Sequence, residues 1–238
     1  MLAYDGTAYC GWQLQPNGVT VQQVVEEAIA KILGPHRTLV AGRTDSGVHA
    51  LGQVIALRTG KPLDAETLMR AMNHHLPLDI AVSSIEEVPN EFDPRKSAVS
   101  KLYRYRVWND FVRPVLVRNQ VWHIYGIDWD RVEAALPAVR GKHDFASFQG
   151  SNCNAVNAVR TLSRVALIRD AAPHETWIEI EGDGFVKHMV RNIVGTLLEV
   201  GRGHEAPEWI EKVMEKKDRR FAGPMAPAAG LTLVEVRY

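Results

Sequence analysis

The chain has 238 residues, with 28 Lys/Arg balanced by 28 Asp/Glu and hydrophobic residues at 46%. This is a globular composition, not that of a mainly disordered chain, and the length suits one large domain or two small ones around a real core. No apolar run approaches the ~18 residues of a membrane-spanning helix, and two cysteines, Cys10 and Cys153, cannot build a disulfide scaffold. The opening residues MLAYDGTAYC carry neither a basic leader nor a long apolar stretch. A secretory signal is therefore not expected, and a reduced, cytoplasmic setting is.

In chain order, a short strand at the start is followed by a predicted helix over Val21–Leu33. Thr20 and Gln23 form its capping box, its apolar residues recur on one face, and Gly34-Pro35 stops it. Thr38–Ala41 reads as a short buried strand, Gly42–Gly47 as a loop, and Gly52–Thr59 as another strand. Asp64 caps a second helix ending near Leu76, before Pro77, and Ile80–Val88 is a further strand. Ser97–Trp108 alternates over its length as a strand, and Val121–Tyr125 follows as a shorter one. Asp128 starts a helix that Pro137 ends or kinks. Ala158–Arg169 and Thr176–Glu181 form a hairpin pair about a turn at Asp170–Glu175. Phe185–Val200 is the longest apolar helix, Pro207–Lys217 a shorter amphipathic one, and Leu231–Tyr238 a closing strand.

Strands and helices mix without strict alternation, which favours an α+β fold with mainly antiparallel sheets. Each half sets helices among several strands, so two similar halves are expected, 1–96 and 97–238. No residue-level repeat relates them. Charge divides between them: residues 1–98 hold eight basic and eleven acidic residues, and the remainder is correspondingly basic. Arg95, Lys96, Lys101, Arg104 and Arg106 fall in a stretch without acids, interleaved with Tyr103, Tyr105 and Trp108. Such a pattern suits phosphate contact with base stacking. It equally suits a strand edge guarded by charge. By alternation Tyr103 and Tyr105 share one face, and Arg104 and Arg106 the other.

The segment Ala41-Gly42-Arg43-Thr44-Asp45-Ser46-Gly47-Val48-His49 is the densest in chemistry. Two glycines let the backbone turn tightly around Asp45. Taken alone, Asp45 reads as a carboxylate satisfying its own loop amides, and Arg43 as a surface charge.

GRTDSGVHA resembles the signature loop of the TruA-type tRNA pseudouridine synthases. Other segments are similar to that family in the same order: Tyr4-Asp5-Gly6 with Gly11-Trp12-Gln13, Gly52-Gln53-Val54, Asn73 with Leu76-Pro77, and Phe92-Asp93-Pro94-Arg95 with Ser97-Ala98. Further along are Lys101-Leu102-Tyr103-Arg104-Tyr105, Asp144-Phe145 with Ser147-Phe148, and Phe185 with Met189-Val190-Arg191 and Gly195. Ala226-Pro227 with Gly230-Leu231 ends the series. The family's first strand usually has several more residues ahead of the Tyr-Asp-Gly segment; the shorter strand here removes no candidate catalytic residue.

The resemblance implies two ferredoxin-like halves meeting at a central active-site cleft. It implies an isomerase that converts uridine to pseudouridine at positions 38–40 of the tRNA anticodon stem-loop. Asp45 becomes the nucleophile, Tyr103 the active-site tyrosine, and Arg191 the cation paired with Asp45. Arg43 becomes the residue that holds the displaced strand, with Arg95, Lys96, Lys101 and Arg104 as candidate phosphate contacts. A homodimer, with one tRNA contacting both subunits, is implied as well.

The residue chemistry is compatible with that role. A carboxylate can add to C1′ of the sugar or C6 of uracil and leave again. The isomerisation is redox-neutral and transfers no phosphate, so no metal or cofactor is expected, and the sequence has no phosphate-cradling glycine loop or Cys/His cluster. Burial would neutralise Asp45 unless a cation stood by. Arg191, among Val190, Ile193, Val194 and Leu197, either turns to solvent with Lys187 and His188 or takes an acidic partner. Two rivals remain. A non-catalytic RNA-binding module would not need Asp45, Tyr103 and Arg191 together. A hydrolase would want a second carboxylate or a metal cluster near Asp45.

Overall fold

In the computed structural model, residues 1–61, 63–153 and 155–238 are described. The elements are β1 (Leu2–Tyr4), α1 (Val21–Leu33), β2 (Leu39–Val40), β3 (His49–Gln53), β4 (Ile55–Ala56), α2 (Ala65–His75) and β5 (Ile80–Val82). They continue with β6 (Ser100–Trp108), β7 (Trp122–His123), α3 (Trp129–Ala135), β8 (Gly141–Asp144), β9 (Val159–Ala172) and β10 (Glu175–Gly182). Last come α4 (Met189–Gly201), α5 (Trp209–Lys216) and β11 (Leu231–Arg237). The fold is α+β with mainly antiparallel pairing. Among the described residues no helix is long and apolar enough to cross a membrane.

The chain forms two compact units, residues 1–99 with 232–238 and residues 100–231. Residues 232–238, expected with the second half, lie in the first unit because Thr232 and Leu233 of β11 pair in parallel with His49 and Ala50 of β3. A seven-residue strand cannot announce its partner, so this assignment is tertiary.

In the first unit β1 lies between β5 and β3, antiparallel to both. The helices form where local signals agree. The Thr20 side chain accepts from the Gln23 amide at 3.3 Å, and α1 buries Val21, Val25, Ala28, Ile29 and Leu33. Asp64 caps α2 by accepting from the Thr67 amide at 2.9 Å. Asn73 of α2 holds β5 through both amide atoms, donating to the Val82 carbonyl at 2.9 Å and accepting from its N–H at 2.7 Å. The strand expected over Gly52–Thr59 is two strands instead. β3 starts earlier, at His49, and pairs with β1, while β4 leaves that sheet to pair with β2.

In the second unit the sheet order is β6-β10-β9-β8, antiparallel throughout, and β7 adds in parallel to β6. β9 and β10 run longer than expected. Their turn is Pro173-His174, and Asp170, at φ 51°, sits where the pairing skips register, so it is a bulge and not the turn. β8, Gly-Lys-His-Asp, has no strand signal of its own and exists by pairing with β9. Pro137 ends α3, which passes into a 3₁₀ turn over Leu136–Val139. α4 starts at Met189, four residues later than Phe185, because His188 adopts a left-handed conformation at φ 64°. Nearly every residue of α4 is buried, so it is the central helix of this unit.

Candidate active site

The loop carrying Asp45 is built by the first unit's opening segment. The Thr44 carbonyl accepts the Trp12 N–H at 3.1 Å, the Asp45 carbonyl accepts the Val48 N–H at 3.1 Å, and the Gly47 N–H and the Ser46 hydroxyl both donate to the Tyr9 carbonyl, at 3.3 Å and 3.2 Å. Gly11, at φ 82°, lies so close that a Cβ there would stand 2.6 Å from the Thr44 carbonyl oxygen. Asp45 is half-buried and Arg43 exposed at the same turn. His49 accepts the Gly6 N–H at its Nδ1, 3.0 Å away, and that nitrogen lies 3.1 Å from Asp5 Oδ1. The two residues tie the start of β3 to the opening segment.

Within the second unit, Tyr103 stands on β6 opposite Ile180 of β10, buried, with its ring edge-on to Phe185 at 4.9 Å. Tyr105, two residues on, is fully buried and donates to the Pro227 carbonyl at 2.7 Å. Burial pushes its phenol well above the ordinary tyrosine range, against a smaller opposing pull from Arg191. Arg191 does not turn to solvent: it is 9% exposed. Its Nε donates to the Ala226 carbonyl at 2.8 Å, and the Ala226 N–H returns to the Arg191 carbonyl at 3.1 Å. This embrace depends on Gly195, one turn further along α4, where any Cβ would stand 1.8 Å from the Pro224 oxygen. The similarity of the Met-Val-Arg-x-x-x-Gly and Ala-Pro segments to one family's motifs is thus one physical arrangement, a helix and the strap laid across it.

The basic strand behaves in two ways. Arg95 and Lys96 are exposed in the turn capped by Asp93, whose carboxylate accepts both their amides. Lys101 is buried. Arg104 donates from Nε and Nη2 to Glu179 Oε1, at 3.0 Å and 2.7 Å, and lies 4.0 Å over the Trp177 ring. Arg106 is held the same way by both oxygens of Glu175. A phosphate would have to compete with those carboxylates. Sequence reasoning could not see these pairs, because they arise from the β6/β10 register. It also passed over Gln53, Tyr4 and Gly11 as builders of the Asp45 loop. Among the described residues, no group of three or more His, Cys, Asp or Glu is arranged to hold a metal.

These features belong to a known class. A family model described as tRNA pseudouridine synthase matches residues 1–95 and 135–238, so the chain belongs to that family. The matched stretches include Asp45 and Arg191; Tyr103 lies between them. Full-length relatives span the whole chain. It is 45% identical to tRNA pseudouridine synthase A of Geotalea uraniireducens (strain Rf4), covering 100% of this chain and 98% of that one. It is 44% identical to the protein of the same name from Geotalea daltonii (strain DSM 22248 / JCM 15807 / FRC-32), with the same coverage. It is 40% identical to that from Myxococcus xanthus, over 100% and 90%. Within the family the chain is of the TruA type, an isomerase.

Proposed function

We propose that this protein converts uridine to pseudouridine in the anticodon stem-loop of tRNA, at positions 38–40. The observation that carries this reading is end-to-end similarity to proteins named tRNA pseudouridine synthase A. The target uridine leaves the stack so that a side chain can reach it. Asp45 adds to C1′ or to C6, the N1–C1′ bond breaks, the uracil turns, C5 bonds to C1′, and the bond to Asp45 breaks to free the carboxylate. The C5 proton goes to solvent and N1 gains one, so the product is an isomer. Arg191 supplies the cation that keeps Asp45 ionised; a guanidinium this buried is costly without a charged partner. Tyr103 stacks on the freed base and assists proton removal at C5. Arg43 holds the displaced strand, and Arg95 and Lys96, both exposed, contact phosphates, with Lys101 and Arg104 adding charge behind them.

The enzyme works as a cytoplasmic homodimer in this reading. Free Cys10 and Cys153 suit a reduced compartment. Apolar side chains left in solvent by a single chain, Phe111, Val112, Val115, Leu116 and Tyr125, suit a second copy.

Tritium release from tRNA labelled at uracil C5 tests the chemistry. Wild type is expected to release label, and Asp45→Asn to bind tRNA but release none. Release of free uracil would point to a hydrolase instead. Binding without release by either protein would leave an RNA-binding module.

A further inference from the structure

Gln53, at the end of β3, is completely buried. It stands opposite Leu2 of β1, so its amide lies diagonally across from Tyr4 on the same face. Its Nε2 donates to the Gly42 carbonyl at 2.7 Å and to the Tyr4 hydroxyl at 3.3 Å. The Tyr4 hydroxyl in turn lies 2.8 Å from Thr44 Oγ1. With Gln53 donating to the Tyr4 oxygen, the Tyr4 proton is directed to Thr44. Burial pushes the Tyr4 phenol up to about 12, so it stays a donor at neutral pH. Gly42 and Thr44 flank Arg43 immediately before the nucleophile. Their positions are fixed from below by one amide and one phenol, and from the side by the Trp12 N–H on the Thr44 carbonyl.

The Gln53 Oε1 has no hydrogen-bond partner among the described residues. A buried, unmatched carbonyl of this kind costs about 1–3 kcal/mol. Methionine has the same length and carries no such cost, and it would fill β3 equally well. What methionine cannot do is donate two hydrogen bonds toward the Asp45 loop. A buried polar group retained at a cost to stability is the signature of a positioning role.

We propose that Gln53, acting through Tyr4 and Thr44, is a positioning residue that sets the carboxylate of Asp45 for attack. This rests on Asp45 being the nucleophile, as proposed above. The test measures kcat and KM for tRNA, by tritium release, in Gln53→Met, Tyr4→Phe and Thr44→Val. Ile29→Ala, which truncates a buried side chain of α1 that makes none of these hydrogen bonds, serves as a variant destabilised for structural reasons alone. The loop variants are expected to lose kcat by about 10- to 100-fold with KM within about twofold, as for a nucleophile displaced by a fraction of an ångström. Ile29→Ala is expected to lower Tm while keeping kcat. Tyr4→Phe removes one hydroxyl and keeps the test decisive if Gln53→Met does not fold. Wild-type kcat in Tyr4→Phe and Thr44→Val, or a loss confined to KM, overturns the proposal. Absence of release by wild type would instead bring down the function itself, and this proposal with it.

Discussion

Gly11 and Gly34 both have positive φ, 82° and 89°, yet they carry different loads. Gly34 ends α1 with open space where a side chain would go, so substitution there meets only backbone strain. At Gly11 an added Cβ would also meet the Thr44 carbonyl at 2.6 Å and the Asp45 carbonyl carbon at 3.0 Å. Gly34→Ala is therefore expected to cost about 1 kcal/mol in urea unfolding and leave turnover intact. Gly11→Ala is expected to cost about 1–3 kcal/mol and, with Asp45 in the proposed role, to lower kcat as well, since the peptide next to Asp45 must move. Equal kcat in the two variants would show that the Gly11 contact does not set the loop. The sequence presents both residues as loop glycines. Their difference comes from what packs over them.

At the scale of elements, the β6/β10 register turns an apparently basic strand into a set of matched charges. Glu179 stands directly opposite Arg104 and Glu175 takes Arg106 diagonally, with Arg164 closing on the second oxygen of Glu179 at 2.8 Å. Burial alone would raise the Glu175 carboxyl, but hydrogen bonds from Arg106 and Trp177 outweigh it and hold the group below its usual 4.5. A carboxylate depressed in the folded state adds stability above its unfolded pKa and loses it as pH falls through the folded value. Thermal unfolding is thus expected to show Tm falling as pH drops below about 4.5, with a shallower fall in Arg106→Gln, whose Glu175 has lost its partner. Parallel pH profiles in the two proteins would remove Glu175 from the account. The helices, by contrast, were legible: α1 and α2 form at their capped boundaries because Thr20 and Asp64 act within one turn of themselves. β8 and the split between β3 and β4 were not, because each depends on a partner far along the chain.

For the whole molecule, the second unit leaves a concentrated apolar segment in solvent. Leu116 is 94% exposed and Phe111 80%, with Val112, Val115 and Tyr125 beside them in sequence or contact. A monomer rarely leaves so many large apolar groups uncovered. Light scattering after gel filtration is expected to give wild type at twice the 26.6 kDa chain mass and Leu116→Glu at the chain mass. A wild-type monomer at micromolar concentration would exclude the homodimer.

The sequence by itself determined the α+β class, the capped helices, and Asp45, Tyr103 and Arg191 as candidate chemistry. These rest on signals within a few residues, or on motifs whose order along the chain survives without a structure. Tertiary structure alone decided that Arg191 is buried and strapped by Ala226, that Arg104 and Arg106 face glutamates, and that the last strand joins the first unit. It alone placed Gln53 and Tyr4 beneath the Asp45 loop. Those facts are pairings between residues distant in sequence, and hydrogen bonds and ion pairs of that kind are chosen by packing and register, which no local pattern encodes.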